Sequence, residues 1–317
     1  MGHLLACTNT PGIEDVTLPI LAVKFPVPKT GICPLIEEGI STCGYPHCYV
    51  PGELAGQFEQ GQRIFRPVFT VAQSRDATIA AIESGGVGAI CGQGHELAFC
   101  IEAWLAVARA AKRNRVLCGM VSRGINLPVW GPRLLAQTDC WLTISVDAIF
   151  RADEKGYHVQ QEVFTGLREI VQAPGGLDRL TVSIVVNPNA EAMSMLVLVK
   201  LAELGVANVA FNVPIRYRGK LQVVRHGLQR VRPCALRLVA FAELLGMNPK
   251  LANEIRQGEK VTDVAKFLGS RMNLTLFHSI NFLTGKVAHG EGVTTVDSLW
   301  HKLALDQKGA PVLQLAA

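Results

Sequence analysis

The chain has 317 residues, a mass of 34.3 kDa and a formal net charge of +5, with 49% hydrophobic, 18% charged and 6% aromatic residues. This composition supports a large buried core and excludes a disordered or fibrous chain. Lys200 and Glu203 interrupt the longest apolar stretch, residues 193–211, so no run reaches the roughly 18 residues that a membrane-spanning helix needs.

The N-terminus and the cysteine content favour a cytoplasmic protein. The first residues contain neither a basic leader nor the apolar stretch of about 7 to 15 residues that is typical of a secretory signal. The chain has nine cysteines, an odd number that disfavours a framework of disulfide bonds. We therefore expect the cysteines to pack in the core, to bind metal or to take part in thiol chemistry.

Short β-branched runs alternate with longer amphipathic segments, a pattern typical of a parallel sheet with crossover helices. The first predicted strand is 18–25, and five more begin near residues 87, 116, 140, 180 and 206. Right-handed crossovers curl six such units in one direction, so we predict an α/β fold that is a partial (β/α)6 TIM-like barrel. A flat, doubly wound sheet is the alternative, although no Gly-rich phosphate turn follows the first strand.

After residue 212 the pattern changes, and we predict a mostly helical C-terminal extension. Four apolar residues between 221 and 231 have helical spacing, and Pro233 is expected to end that run. Further helices are predicted at 235–245, 249–257, 261–267 and 274–283. The predicted domains are therefore a barrel at 1–214 and a helical extension at 215–317.

A long irregular segment, residues 26–52, follows the first strand and contains Cys33, Cys43 and Cys48. Long loops within compact domains are usually functional, and barrel enzymes place their sites at the carboxyl ends of parallel strands. Thiolates bind iron-sulfur clusters or zinc. Three protein ligands would leave one metal position for a substrate or cofactor, but a zinc site or ordinary loop thiols would also explain these cysteines.

Residues 19–214 resemble the radical S-adenosylmethionine (SAM) superfamily. In that family an aromatic residue commonly follows the last cysteine, as in Cys48-Tyr49, and the second strand leads to a glycine-rich motif ending in Glu, as in residues 91–96. Residues 121–124, 144–148 and 187–189 resemble the segments after the next three strands. The cysteine spacing departs from the common C-x3-C-x2-C, because Ser41 and Tyr45 stand where that pattern has cysteine.

The resemblance implies an enzyme that reductively cleaves SAM to a 5′-deoxyadenosyl radical and abstracts hydrogen from its substrate. It implies that Cys33, Cys43 and Cys48 hold a 4Fe-4S cluster, with His47 as a minor candidate ligand, and that flavodoxin or ferredoxin supplies the electron. The residues implied at SAM are Gly92, Gly94, Glu96, Ser122, Ser145 and Asn187. Two alternatives are a degenerate barrel that binds a partner without radical chemistry, and a barrel lyase or aldolase with zinc or a lysine base.

Several of these residues also have simpler explanations. Glu96 suits the start of the helix that follows it, because a carboxylate there meets unpaired backbone N–H groups. Ser145 and Asp147 fit a turn at the end of a strand. The thiols of the predicted strands are expected to pack in the core as small apolar groups: Cys91, Cys118 and Cys140.

Residues 216–237 contain seven Lys and Arg residues and no acidic residue. A solvated helix face is the simple explanation. Arg216 and Arg218 differ from the others because they follow the sixth strand directly, where guanidinium groups suit the phosphate or carboxylate of an anionic substrate. Nucleic acid is a further candidate partner with weak support, because Tyr217 is the one aromatic residue in the run.

Overall fold

The structure is a computed structural model that describes residues 10–34, 36–37, 40–41, 60–61, 64–146, 156–212, 215–218, 221–224, 227–251, 276–289 and 292–295. The strands in these ranges are β1 (Ile20–Lys24), β2 (Ile36–Glu37), β3 (Ile40–Ser41), β4 (Ala89–Gly92), β5 (Leu117–Ser122), β6 (Trp141–Ser145), β7 (Leu180–Val185), β8 (Asn208–Asn212), β9 (Ile215–Arg218), β10 (Leu221–Val224), β11 (Asn248–Lys250), β12 (Phe277–Asn281), β13 (Lys286–His289) and β14 (Gly292–Thr295). The helices are α1 (Val71–Glu83), α2 (Ile101–Arg113), α3 (Leu127–Gln137), α4 (Gly156–Gln172), α5 (Glu191–Glu203) and α6 (Leu228–Leu244).

The main sheet has the order β11-β8-β7-β6-β5-β4-β1-β12-β13-β14. All neighbours from β11 to β12 are parallel, whereas β13 and β14 add an antiparallel extension. The six predicted strands lie side by side in the order in which they occur in the chain. A doubly wound sheet would instead reverse its strand order at one point in the sheet. The prediction of an α/β fold of the partial TIM-barrel kind is therefore confirmed, with a sheet that is not closed among the described residues.

Local sequence signals explain where the crossover helices begin and end. Thr70 and Gln73 form a capping box at the start of α1, in which each side chain accepts a hydrogen bond from the other's backbone N–H. Gly85 and Gly205 follow α1 and α5 with φ of 76° and 82°, a left-handed conformation that glycine adopts readily. None of the helices in the described ranges is both long and apolar enough to cross a membrane.

The two faces of the sheet have different side chains. On the outer face, Ile90, Met120 and Ile144 are at most 1% exposed and belong to the same apolar core as Trp104 and Leu105 of α2. The inner face carries small side chains on the facing strands: Ala22, Cys91, Gly119, Thr143, Ser183 and Ala210. On the inner face Gly119 packs against Thr10 and stands in register with Trp141 of β6, whereas the outer face is filled by the helices.

The C-terminal third departs from the predicted helical extension. Residues 221–224 form β10, paired antiparallel with β9, and residues 277–281 form β12 beside β1 instead of a helix. Short apolar runs such as these fit helical and strand periods equally, and their pairing partners decide between the two. Pro233 lies within α6, where burial of Val231, Cys234 and Ala235 supports the helix despite the missing N–H. The predicted helix at 249–257 is wrong at its start, where residues 248–250 form β11 beside β8, and its remainder lies outside the described residues, as does the predicted helix at 261–267.

Candidate functional site

The carboxyl ends of the parallel strands form one edge of the sheet, and the predicted SAM residues lie along it. Gly92, Ser122 and Ser145 are the last residues of β4, β5 and β6. Asn187 follows β7 by two residues. Because barrel enzymes bind ligands at this edge, its loops are the candidate site.

Glu96 connects the ends of β4 and β5 through its carboxylate. Its Oε1 accepts hydrogen bonds from Ser122 Oγ at 2.6 Å and from the Ala98 N–H at 3.1 Å, and its Oε2 accepts one from the Arg123 N–H at 2.7 Å. The bond to Ala98 confirms that Glu96 caps the 3-10 helix at residues 97–100. Ser122 Oγ in turn accepts from the Gly124 N–H at 2.8 Å, so the two strand ends are fixed relative to each other.

Burial raises the pKa of Glu96 above its ordinary value. Desolvation of the carboxylate is the largest cause, and the hydrogen bonds from Ser122, from the Arg123 N–H and from the Ala98 N–H partly oppose it by favouring the charged form. This carboxyl group therefore takes up a proton at a higher pH than an exposed glutamate.

The two glycines of the motif have different neighbours. A Cβ at Gly92 would lie 2.5 Å from Leu97 Cδ1 and 2.7 Å from Trp104 Cη2, so a side chain there would displace the outer core. Gly94 has a φ of 100°, and a Cβ there would lie 2.5 Å from Lys24 Cε. Gly94 thus leaves room for the Lys24 side chain, which is 1% exposed at the end of β1.

Cys33 lies beside the same motif. It is 8% exposed, and its backbone N–H donates to His95 Nδ1 at 3.4 Å. A tight turn precedes it, because Val27 and Gly31 exchange two backbone hydrogen bonds of 2.9 Å. The start of the cysteine segment is therefore held against residues 92–96.

The other two proposed cluster ligands, Cys43 and Cys48, lie outside the described residues, as does His47. Within the described part of the chain, no three His, Cys, Asp or Glu residues form a group that could hold a metal. The proposed ligand set of Cys33, Cys43 and Cys48 therefore stays a prediction.

Ser145 and Asn187 lie in different surroundings and have different neighbours. Ser145 stands opposite Ser183 on the inner face, where Asn212 Nδ2 donates to Ser183 Oγ. Asn187 Oδ1 accepts from the Asn189 N–H at 3.0 Å, which is an Asx turn before α5. Ser145 thus faces the barrel interior, and Asn187 shapes the loop after β7. Asp147 lies outside the described residues.

The two arginines expected to bind an anion lie in β9, shortly after β8. Arg216 and Arg218 pair in register with Val223 and Leu221 of β10. Their side chains lie outside the description, so their proposed role stays a prediction. Arg237 of the same basic run makes two hydrogen bonds with the Glu191 carboxylate, at 2.6 and 2.7 Å. At least this arginine serves to attach α6 to α5.

The strand thiols are buried, as expected. Cys91, Cys118 and Cys140 are at most 5% exposed. The pKa of Cys118 is raised well above its usual range, mainly by a hydrogen bond with Cys140 and secondly by burial. The Cys118 thiol is therefore a poor nucleophile and a poor metal ligand, because both roles require the thiolate.

Sequence reasoning missed three polar residues at this edge. His95 contacts Cys33, whereas Lys24 and Gln93 are both buried, at 1% and 4% exposure. The signal that could have found them was a charged or amide side chain at the inward position of a strand end, where the rest of the strand is apolar.

Comparisons with known proteins identify this architecture. No protein-family model and no curated protein matches the sequence. Among solved structures, SuiB of Streptococcus suis bound to S-adenosylmethionine aligns with a TM-score of 0.54 at 8% identity, covering 86% of this chain and 60% of SuiB. The enzyme anSMEcpe with bound AdoMet and the Cp18Cys peptide aligns with a TM-score of 0.54 at 14% identity, covering 85% of this chain and 73% of that one.

SuiB with its precursor peptide SuiA gives a TM-score of 0.52 at 8% identity, with coverage of 88% of this chain and 60% of SuiB. These neighbours are radical SAM enzymes with TIM-like barrels. At such low identity the likeness shows a shared fold. The resemblance drawn from the motifs is thus confirmed at the level of the fold.

The contact between Gly94 and Lys24 predicts a large effect of Gly94→Ala. The new methyl group would combine a left-handed backbone with a clash against a side chain that has little room to move, and we expect the free energy of unfolding to fall by about 2–5 kcal/mol. Gly246→Ala is the matched control, because Gly246 has a φ of 76° and, apart from its chain neighbours, no atom of the described residues would lie within 4 Å of the added methyl group. It should lose about 1–2 kcal/mol. Equal losses in urea unfolding would contradict close packing at Gly94.

The raised pKa of Glu96 predicts a pH-dependent difference between the wild type and Glu96→Gln. The folded state holds this proton more tightly than the unfolded state, so its stabilising contribution is complete below the ordinary value of 4.5 and is lost as the pH rises through the folded pKa. We expect the unfolding free energy of the wild type to fall relative to Glu96→Gln over that window and then to stay level. Urea unfolding from pH 4 to pH 8 measures it, and a difference that rises with pH would contradict the assignment.

Proposed function

We propose that this protein is a radical SAM enzyme, with its cofactors at the carboxyl edge of the barrel. One observation carries the proposal: a barrel of this fold holds the start of its cysteine segment directly against the glycine-rich motif, through the bond from the Cys33 N–H to His95. These are the two segments from which the resemblance draws the cluster ligands and the SAM contacts.

The residues at this edge fit such cofactors. Cys33, Cys43 and Cys48 would hold a 4Fe-4S cluster, since thiolates are the usual ligands of these clusters. A cluster bound there would supply the single electron needed for reductive cleavage of the carbon–sulfur bond of SAM, and hydrogen abstraction from the substrate would follow from that cleavage. The chain would contact SAM through the residues given by the motifs: Gly92, Gly94, Glu96, Ser122, Ser145 and Asn187.

The protein's own contribution would be position and exclusion of water. Because Gly94 has no side chain, its backbone can approach the Lys24 side chain closely. Glu96 fixes the loops after β4 and β5 in one arrangement. A shielded site limits the reactions of a radical to the intended hydrogen atom.

The proposal extends to partners and location. Arg216 and Arg218 would bind a phosphate or carboxylate of the substrate, and a donor such as flavodoxin or ferredoxin would supply the electron. We place the protein in the cytoplasm. The six cysteines of the described ranges are all thiols rather than disulfides, which accords with a reducing compartment.

A second candidate is a binding protein that has lost radical chemistry. The cysteine spacing favours it, because Ser41 and Tyr45 occupy two positions of the usual cluster motif. The Glu96 carboxylate also favours it, because this group already accepts three hydrogen bonds from its own chain and does not need SAM as a partner. Metal content separates the two candidates.

Anaerobic purification followed by iron and sulfide analysis tests the proposal. We expect about four irons per chain in the wild type. Cys33→Ala, Cys43→Ala and Cys48→Ala should each abolish incorporation, because three thiolates are needed. Cys118→Ala is the control, since that thiol is buried among strands, and it should retain full iron.

Three outcomes would overturn the proposal or part of it. A wild-type protein that takes up neither iron nor sulfide under reconstitution favours the binding protein, and zinc in place of iron favours a lyase. Full iron in Cys43→Ala would leave the cluster in place but show that the ligand assignment is wrong.

A further inference from the structure

One short segment joins two turns at the carboxyl edge of the sheet. The backbone N–H of Phe65 donates to the Thr30 carbonyl at 3.0 Å, in the turn that precedes Cys33. The backbone N–H of Val68 donates to the Leu283 carbonyl at 2.9 Å, in the turn after β12. The segment and the two turns are therefore held together as one continuous part of the protein surface.

This part of the surface exposes two large apolar side chains among three cations. Ile64 is 68% exposed and Val68 is 62% exposed. The cations are Lys29, Arg66 and Lys286, which are also exposed and come one from each of the three joined parts. We call these five side chains the cationic surface. Exposed apolar groups next to charged ones are typical of a site that contacts another protein.

The charge of these three parts has one sign. Residues 27–31, 64–68 and 282–286 contain three cations and no aspartate or glutamate. A cluster of like charges attracts a partner of opposite charge and speeds its association. A second copy of this chain is a poor partner, because a two-fold contact would bring the same cations against each other. The surface therefore fits an acidic protein of another kind.

The conformation of Lys29 supports a role for this surface. Its φ of 70° lies in the left-handed region, which is uncommon for residues other than glycine, asparagine and aspartate. Residues in such conformations lower stability, and they are frequent at functional sites. The shape of the turn does not require a lysine, so the gain from this side chain lies in its exposed charge.

The cationic surface is closely connected to Cys33. Gly31 ends the turn that carries Lys29, and a Cβ at Gly31 would lie 2.0 Å from the Phe65 carbonyl oxygen and 3.2 Å from Leu283 Cδ1. Cys33 is two residues further along the chain and only 8% exposed. A protein bound at the cationic surface would thus meet the turn next to this proposed cluster ligand without contacting the thiol.

We propose that the cationic surface is the docking site of an acidic one-electron carrier protein. This inference rests on the proposed function, because it requires a cluster at Cys33 that accepts an electron. The reduced carrier loses one electron and the cluster gains it, and no covalent bond forms between the two proteins. Contacts between electron-transfer partners bury less than about 1,200 Å², so a small surface is sufficient.

Reversal of all three charges tests the inference in the full chain purified anaerobically, with reduced flavodoxin as the probe. In the triple variant Lys29→Glu, Arg66→Glu, Lys286→Glu, we expect the second-order rate of cluster reduction by flavodoxin to fall about tenfold to a hundredfold, because attraction becomes repulsion. Stopped-flow absorbance measures this rate. Reduction by dithionite needs no docked protein and should stay within about threefold. Added salt should slow the flavodoxin reaction of the wild type but not that of the variant.

Calorimetric titration with oxidised flavodoxin measures docking without electron transfer. Ile64→Ser should weaken binding about threefold to tenfold, because it removes apolar area from the contact. If the charge reversals do not fold, the triple variant with Gln at the same three positions replaces them and should still lower the flavodoxin rate. Sedimentation of the wild type checks for self-association, and a dimer that Ile64→Ser abolishes would overturn the inference.

Arg168→Glu is the matched control for the single variant Arg66→Glu, since both change the net charge equally. Arg168 is exposed on α4, between β6 and β7 and away from β1. The control should keep the flavodoxin rate of the wild type, whereas Arg66→Glu should lower it. Equal rates in the wild type and the triple variant, with the cluster present, overturn the inference and leave the proposed function standing. A wild type that holds no cluster overturns both.

Discussion

The candidate site depends on the carboxylate of Glu96 and the donors that surround it. Ser122, the Arg123 N–H and the Ala98 N–H converge on one side chain, and this fixes the exits of β4 and β5 relative to each other. The preceding residue, His95, accepts the hydrogen bond of the Cys33 N–H. Two adjacent side chains thus hold three loops together at one edge, and those loops carry most of the proposed chemistry.

The two faces of the sheet differ in the residues they carry and in their role. Its outer face is apolar and close-packed with the helices, which supplies the burial that stabilises the fold. The inner face combines small residues with polar groups at the strand ends, and burying such groups is unfavourable unless they are paired. Buried polar groups near the barrel opening lower the stability of the fold when they are unpaired. Their presence there is expected of a ligand site rather than of a structural core.

The sequence predicted the barrel better than the site. Six strands and their order followed from β-branched runs and glycine stops, because these signals are local. Residues 221–224 and 277–281 were mistaken for helix, since their strand pairing with β9 and β1 involves partners that local periodicity does not reveal. Glu96 and Ser122, both predicted at SAM from the motifs, are joined by a hydrogen bond, and their role at SAM stays a prediction. Gln93 and Lys24 were not predicted, because burial at a strand end is a property of the assembled sheet. Cys43 and Cys48 remain predictions from the sequence.

The central claim is that this edge of the barrel holds an iron-sulfur cluster and SAM side by side. Electron paramagnetic resonance of the full chain, reduced anaerobically, addresses it most directly. The account predicts a cluster signal whose shape changes when SAM is added, because the proposed sites of the cluster and of SAM adjoin each other at this edge. A reduced protein without a cluster signal, or with a signal that SAM leaves unaltered, would contradict it.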